Sequence, residues 1–339
     1  MVKCVVWDLD NTIWRGTLLE DAEVTVREGV AEAVALLDSR GILQSVASRN
    51  DAKLALTRLR EAGLGDYFLV PQIGWGAKSR SVARIAELLG IGLDTVLLVD
   101  DDAFERAEVR RAWPQARTVD AAQPGALPGR ADLNPAVVTR EAGRRRLMYL
   151  AQQRRTEVEE SFTGPPEEFL ASLGLRLVLR RAEPGDLARA EELTVRTNQL
   201  NATGRTYSAA ELDAFRDSPG YRLLVATLSD RFGDYGTIGL MLLETRERAW
   251  TLRLLLISCR VLSRGVGAIL LGALVARAKE EGVRLLGEFV PTRSNRPMLI
   301  TYRFTGFERV SERDGVTLFE HRSPAVPARP AYVDFVSEL

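Results

Sequence analysis

Two aspartates one residue apart, Asp8 and Asp10, are the first groups in this chain able to do chemistry. They follow the apolar run Val5-Val6-Trp7 at once and lead into Asn11-Thr12. Carboxylates this close repel each other unless a cation lies between them, and a donor set made of oxygens alone suits Mg2+. With such an ion neutralising phosphate charge, one carboxylate can attack phosphorus while its neighbour shuttles a proton. Taken alone, the same residues also read as a turn capped by its own Asp and Asn. Further polar groups follow: Ser48, Lys78 after Gly74-Trp75-Gly76-Ala77, and Asp100-Asp101-Asp102. A hydroxyl can hydrogen-bond phosphate oxygens, a lysine can neutralise both phosphate and nucleophile, and a third carboxylate completes a metal shell. Far along the chain, Cys259 precedes Arg260 and the run Arg264-Gly265-Val266-Gly267. Nearby positive groups favour a thiolate, and glycines at a helix entry let phosphate oxygens approach free N–H groups. A cysteine in a strand is ordinarily just a small hydrophobe, which is how Cys4 reads.

Residues 5–7, 42–47 and 95–99 are short apolar runs that suit buried parallel strands. Each is followed by one of the polar groups above. Helical spacing appears over 29–37, over 54–62 with Asn50 or Asp51 as its cap and Gly63 as its end, and over 79–89. A short strand is expected at 67–70. Strand and helix alternate, so the pattern predicts a doubly wound parallel sheet with its polar residues beyond the carboxyl ends of the strands. Residues 121–135, rich in Pro, Gly and Ala, read as a linker. Residues 139–160, rich in Arg and Glu, read as an exposed helix with a narrow apolar stripe at 147–150.

The chain therefore divides into 1–120, a linker and connecting helix over 121–165, and a domain over 166–339. In the last, strands are expected at 176–179, 221–227, 237–244, 250–257 and 285–290. Helices are expected at 186–195, 268–278 and 295–302, and a hairpin opens at Gly306-Phe307. This is an α+β pattern. The cluster Arg196-Thr197-Asn198-Gln199-Leu200-Asn201 is either a binding loop or a plain irregular one. The connection Asp230-Arg231-Phe232-Gly233-Asp234-Tyr235-Gly236 is longer than a hairpin needs, and such loops often carry function.

A chain of 339 residues is long enough for two full cores, and 46% hydrophobic with 27% charged residues is the balance of an ordinary soluble protein. The net charge of zero gives no pull towards nucleic acid or a membrane surface. No apolar run reaches about eighteen residues and no signal peptide opens the chain, so a cytoplasmic protein is expected. Two cysteines make no disulfide framework. Lysine is scarce, at 4 residues (46 basic side chains less 42 arginines), so Lys78 in its glycine-containing loop is less casual than a lysine usually is. The single histidine, His321, lies far from Cys259 in sequence and reads as ordinary surface.

The first 120 residues resemble the haloacid dehalogenase superfamily of phosphotransferases. Asp8-Leu9-Asp10-Asn11-Thr12 matches its first motif, Ser48 its second, Lys78 its third and Asp100-Asp101 its fourth. The resemblance implies Asp8 as nucleophile and Asp10 as acid/base. It also implies Thr12, Ser48 and Lys78 around the phosphate, and Asp8, Asp10, Asp100 and Asp101 around Mg2+. The far half resembles the Gcn5-related N-acetyltransferase fold, with Arg264-Gly265-Val266-Gly267 at its acyl-CoA pyrophosphate loop. Leu262 departs from the Gln or Arg usual there, which makes a carrier protein's pantetheine arm an alternative to CoA.

Together the halves resemble the FkbH-like glyceryl transferase/phosphatases of polyketide biosynthesis, on the strength of the first motif with Ile13-Trp14, Arg196 to Asn201, Asp230 to Gly236 and Ser258-Cys259-Arg260-Val261-Leu262. That resemblance implies 1,3-bisphosphoglycerate as donor and an acyl carrier protein with its phosphopantetheine arm as acceptor. Cys259 would carry the acyl group, and the product would serve methoxymalonyl or tetronate units. Arg196, Asn198, Gln199, Asn201, Arg260, Arg264, Gly265 and Gly267 would contact substrate or pantetheine. The alternative is an Mg-dependent phosphatase of another phosphorylated metabolite, with a second domain that only binds.

Overall fold

Strand β1 (Cys4–Trp7) is apolar on both faces and wholly buried, and a parallel sheet forms around it. The computed structural model describes residues 1–338 other than Ala22, Ala136, Val137, Thr139, Arg140 and Asn198; the side chain of Arg196 also lies outside the described set. The chain separates into two compact units, Met1–Gln153 and Arg154–Leu339.

In the first unit, β1 is followed by a small antiparallel pair, β2 (Trp14–Arg15) and β3 (Thr25–Val26), and by helix α1 (Val30–Ser39). Then come β4 (Leu43–Ser48), α2 (Ala52–Glu61), β5 (Gln72–Ile73), α3 (Lys78–Leu89), β6 (Val96–Asp100), α4 (Ala103–Ala112) and β7 (Arg117–Asp120). The sheet order is β5-β4-β1-β6-β7, and every pairing is parallel. The chain moves outward from β1 to one side and then returns to build the other. The ends of β1 and its neighbours are therefore the topological switch point, where a ligand crevice opens. Separate apolar clusters cover the two faces, one with Trp7, Val46 and Val99 and the other with Val6, Ala47 and Leu98.

Two expectations fail here. The backbone turns at Val70, whose φ of 45° no β strand uses, so the strand expected at 67–70 forms as β5 after Pro71 instead. Residues 121–133 are no linker: Ala121, Leu127 and Leu133 belong to the first unit's core. Arg27 donates to the Ala121 and Ala122 carbonyls and Arg40 to those of Pro128 and Leu133. Short 3-10 turns bury these leucines without any period, and Gly125 packs so closely on Gly29 that a Cβ would lie 3.1 Å from the Gly29 Cα. The helix expected over 139–160 forms as α5 (Arg145–Ser161), after a 3-10 turn at Ala142–Arg144; Thr139 and Arg140 lie outside the described residues.

The second unit begins with α6 (Pro166–Leu173), β8 (Leu175–Arg181), α7 (Leu187–Arg196) and α8 (Ala209–Asp217). Three long strands follow, β9 (Tyr221–Asp230), β10 (Gly233–Arg246) and β11 (Ala249–Ile257). Then come α9 (Val266–Glu280), β12 (Arg284–Phe289), α10 (Arg296–Phe304), β13 (Phe307–Arg313), β14 (Val316–His321) and β15 (Val333–Ser337). The sheet runs β13-β14-β12-β11-β10-β9-β8-β15, antiparallel except for β11 with β12 and β15 with β8. Both halves of the expected fold class are thus present, a doubly wound parallel sheet and an α+β unit on a mixed sheet. The connection after Asp230 is not a long loop. Asp230 pairs with Gly233, so Arg231 and Phe232 form a two-residue turn, and the odd residues of the motif are absorbed by bulges in β10. Among the described residues no helix is long and apolar enough to cross a membrane.

Candidate active site

The ends of β1, β4 and β6 and the start of α3 bring four sequence-predicted groups of the first unit together. Asp8 directly follows β1, its backbone N–H bonded to the Val99 carbonyl of β6. Lys78 begins α3. The next residue, Ser79, is gripped by Glu108 of α4 through both its N–H (2.9 Å) and its hydroxyl, and its carbonyl accepts Trp113 Nε1 at 3.0 Å. So anchored, Lys78 is buried and reaches two carboxylates, Asp8 at 3.0 Å and Asp100 at 2.5 Å. Asp100 also accepts the Asp102 N–H at 2.9 Å, while Asp102 itself caps α4 by accepting the Phe104 N–H. The Ser48 hydroxyl hydrogen-bonds Asp8 as well.

One carboxylate oxygen from each of Asp8, Asp100 and Asp101 lies within 4.8 Å of the others. Three hard oxygen donors converging beside a single ammonium fit Mg2+ in charge and in ligand type. The electrostatics agree. Burial drives the Asp8 carboxyl up to about 6, the ammonium of Lys78 pulls the other way, and Asp100 adds repulsion. Asp101 is likewise raised by burial and by Asp100. Burial would lower Lys78, but Asp8 and Asp100 outweigh it and hold its ammonium above the usual range. A cation among these oxygens would reverse the cause of the carboxylate shifts.

Asp10 takes a different place from the one expected. Its carboxylate is outside the metal-ready group: Oδ1 accepts Trp14 Nε1 at 2.7 Å and the Leu18 N–H at 3.2 Å, and Oδ2 accepts Asn50 Nδ2 at 3.0 Å. Its assignment as a side-chain metal ligand is corrected accordingly. Thr12 is buried beside the cluster, its hydroxyl donating to Asp101 at 3.5 Å. Asn11 holds a positive φ of 53° and binds Gly16 through both backbone and side chain, closing the turn that presents both aspartates. Sequence reasoning missed Asn50 and Trp14 as holders of Asp10. The sequence offers Asn50 only as an alternative cap of α2; Asp51 takes that place, while Asn50 Oδ1 accepts the Asp51 N–H at 3.0 Å and its Nδ2 is left to reach Asp10.

In the second unit Cys259 is exposed, two residues past the end of β11, where a 3-10 turn (Cys259–Arg264) begins. Cys4 is buried, and burial pushes its thiol far up. Arg260 is exposed and donates to Ser258 Oγ at 3.3 Å. Arg264 corrects an expectation. It is buried, donates to Glu159 at 3.0 and 3.4 Å, and stacks over Phe169, so its charge is spent inside the unit. Gly265 takes a positive φ of 70° to start α9. A side chain at Gly267 would come within 3.1 Å of both Ile257 and Thr301, so that glycine serves helix packing.

In the polar cluster after α7, Asn201 does structural work. Asn201 is buried, accepts the Thr203 and Gly204 N–H groups and donates to the Arg205 carbonyl, which closes its own turn. Gln199 is exposed; Asn198 and the Arg196 side chain fall outside the described residues. β11 pairs with β12 only from Ala249 to Leu252, and beyond it residues 200–202 lie between the two strands. Ile257 N–H donates to the Leu200 carbonyl, Ala202 N–H to Leu255, and Val290 N–H to Ala202. Asn295 pins this insertion through Nδ2 to the Asn201, Ala202 and Val290 carbonyls. Asp230 is buried in a bidentate pair with Arg155, which lies 3.7 Å over the Tyr235 ring, while Tyr235 donates to Asp230 at 3.0 Å. His321 is half-buried and edge-on to Phe307.

No family model and no curated protein matches the chain. Among solved structures it is similar to the N-terminal part of a Bacteroides fragilis protein containing a phosphatase domain complexed with Mg. The identity there is 29%, the match covers 37% of this chain and 38% of that one, and the TM-score is 0.33. It is also similar to the ribosomal-protein-S18-alanine N-acetyltransferase of Escherichia coli, at 16% identity over 45% of this chain and 99% of that one, with a TM-score of 0.34. An aminoglycoside acetyltransferase in complex with coenzyme A gives 20% identity over 44% and 95%, with a TM-score of 0.34.

Proposed function

We propose that the chain is a two-unit enzyme that moves a glyceryl group from 1,3-bisphosphoglycerate to the pantetheine thiol of an acyl carrier protein and removes phosphate. The observation that carries the reading is the Asp8–Lys78–Asp100 cluster with Asp101 at the switch point of a parallel sheet. Mg2+ among those carboxylates would draw charge from the phosphate oxygens. Asp8 Oδ attacks phosphorus, the bond from phosphorus to the C3 oxygen breaks, and Asp10 gives that oxygen a proton. Asp10 then takes a proton from the water that cleaves the aspartyl-phosphate, and inorganic phosphate leaves. Trp14 and Asn50 keep the Asp10 carboxyl in one orientation through both steps.

For the acyl step, the support is an exposed Cys259 at the carboxyl end of a central strand. Its thiolate attacks the acyl-phosphate carbon, the carbon–oxygen bond to phosphate breaks, and phosphate departs with the electron pair. The carrier's thiolate then displaces Cys259 from the thioester. The test is the intact mass of a carrier protein incubated with enzyme, Mg2+ and the bisphosphorylated donor. A gain of one glyceryl group with wild type and none with Cys259→Ala is the expected result. A carrier loaded by Cys259→Ala at the wild-type rate removes the covalent role. A second reading, an Mg-dependent phosphatase with a binding-only second unit, is favoured by the inward Arg264 and by the segment 200–202 beside β11. It predicts full phosphate release with no carrier ever modified.

A further inference from the structure

Glu105 is a buried carboxylate that the phosphate-transfer chemistry leaves unused. It lies in the first turn of α4, and its side chain is only 7% exposed. One oxygen, Oε1, forms an ion pair with Arg49 Nη1 at 3.1 Å; the other, Oε2, is buried and meets no donor among the described residues. Burial raises its carboxyl, while Lys78 and Arg49 pull it down and Asp100 pushes it up, which places Glu105 within the field of the phosphate site. A half-satisfied buried carboxylate is costly on its own. What it achieves here is to fix Arg49.

Arg49 comes straight after Ser48 at the carboxyl end of β4, and its side chain is 46% exposed. Among the described residues, Glu105 is the only carboxylate its guanidinium meets. The tethering carboxylate is buried, whereas the Arg49 side chain stays half-exposed with no second ion-pair partner among the described residues. A guanidinium presents a planar fork that matches a carboxylate or a phosphate, and one already tethered loses less freedom on binding.

We propose that Arg49 is a specificity-determining residue of the phosphate site. Its guanidinium, held by Glu105, binds a second anionic group, carboxylate or phosphate, on the same molecule whose phosphate Asp8 attacks. Glu105 is a positioning residue. The inference rests on the phosphate-transfer reading of the first unit and adds its substrate class: small organic phosphates with two anionic groups a few carbons apart.

The test is steady-state kinetics of the full chain with Mg2+ on 3-phosphoglycerate, propane-1,3-diyl bisphosphate and glycerol 3-phosphate. The first two carry a second anion and the third does not. Arg49→Ala is expected to lower the kcat/KM ratio of a doubly anionic substrate to glycerol 3-phosphate by about 10- to 100-fold, mainly through KM. Arg49→Lys should restore part of that ratio, and Glu105→Gln should lower it by a smaller factor. Selectivity lost for 3-phosphoglycerate alone assigns a carboxylate and for the bisphosphate alone a phosphate; either supports the proposal. Equal losses on all three substrates, or no preference for the second anion in wild type, overturn it while phosphate release survives. Absence of release from any of the three by wild type overturns the phosphate-transfer reading itself, and the proposal with it.

Discussion

Lys78 is the residue on which the first unit's chemistry turns, because one ammonium serves two buried carboxylates. Replacing the nucleophile, Asp8→Asn, keeps the shape but removes the attacking charge, and phosphate release should fall by roughly 1,000-fold or more. A stopped-time phosphate assay with a residual rate above a tenth of wild type would assign the attack elsewhere. The raised Asp8 carboxyl also sets a pH dependence. Its folded pKa is near 6 against about 4 in an unfolded chain. In metal-free protein the group therefore contributes stability in full below about pH 4, and that contribution is lost as pH rises through 6. Mg2+ competes with the same proton, so saturating Mg2+ should raise Tm by about 5–10 °C at pH 7.5. The gain should be much smaller at pH 5, and equal gains at both values would show that the ion binds elsewhere. Asp8, Lys78 and Asp100 were legible in the sequence because each sits at the boundary of an element. Asn50, Arg49 and Glu105 were not, because they meet their partners only across the fold; Trp14, four residues from Asp10, was passed over because an indole reads as core rather than as a carboxylate's donor. Arg264 misled for the opposite reason: nearness in sequence to Cys259 said nothing of Glu159, far upstream.

At the scale of elements, alternating apolar strands and helices made the parallel sheet readable, since its buried strands are continuous apolar runs. The segment 121–133 was unreadable by the same method, because 3-10 turns bury single leucines with no repeat. The Asp230 to Gly236 motif read as a functional loop and is a tight hairpin whose carboxylate holds Arg155. Arg155→Ala would leave Asp230 buried and unpaired and should cost about 3–5 kcal/mol by chemical denaturation. A loss under about 1 kcal/mol would show that water replaces the guanidinium without penalty. Phosphate release, carried by residues of the other unit, is the control for that variant.

For the whole molecule, the two sets of groups lie in different units, Asp8, Lys78 and Asp100 in one and Cys259 in the other. Under the proposed function their products should separate. Asp8→Asn is expected to load the carrier with a glyceryl group that still bears its phosphate, read as a heavier adduct by intact mass. Cys259→Ala is expected to leave the carrier unmodified. A dephosphorylated adduct from Asp8→Asn would mean that the first unit is not the phosphatase.

The strip of backbone at 200–202 has a consequence for any visitor to Cys259. Beyond Leu252 the side of β11 that faces β12 is already taken, and Ile257 and Val290 donate their amide protons to that strip. A ligand aligned along the strand has to peel the strip away, whereas one that arrives end-on over the sulfur leaves it in place. Deuterium uptake at those two amides distinguishes the routes: faster exchange with a carrier bound means entry by displacement, and unchanged protection means that the cysteine is approached from its open side.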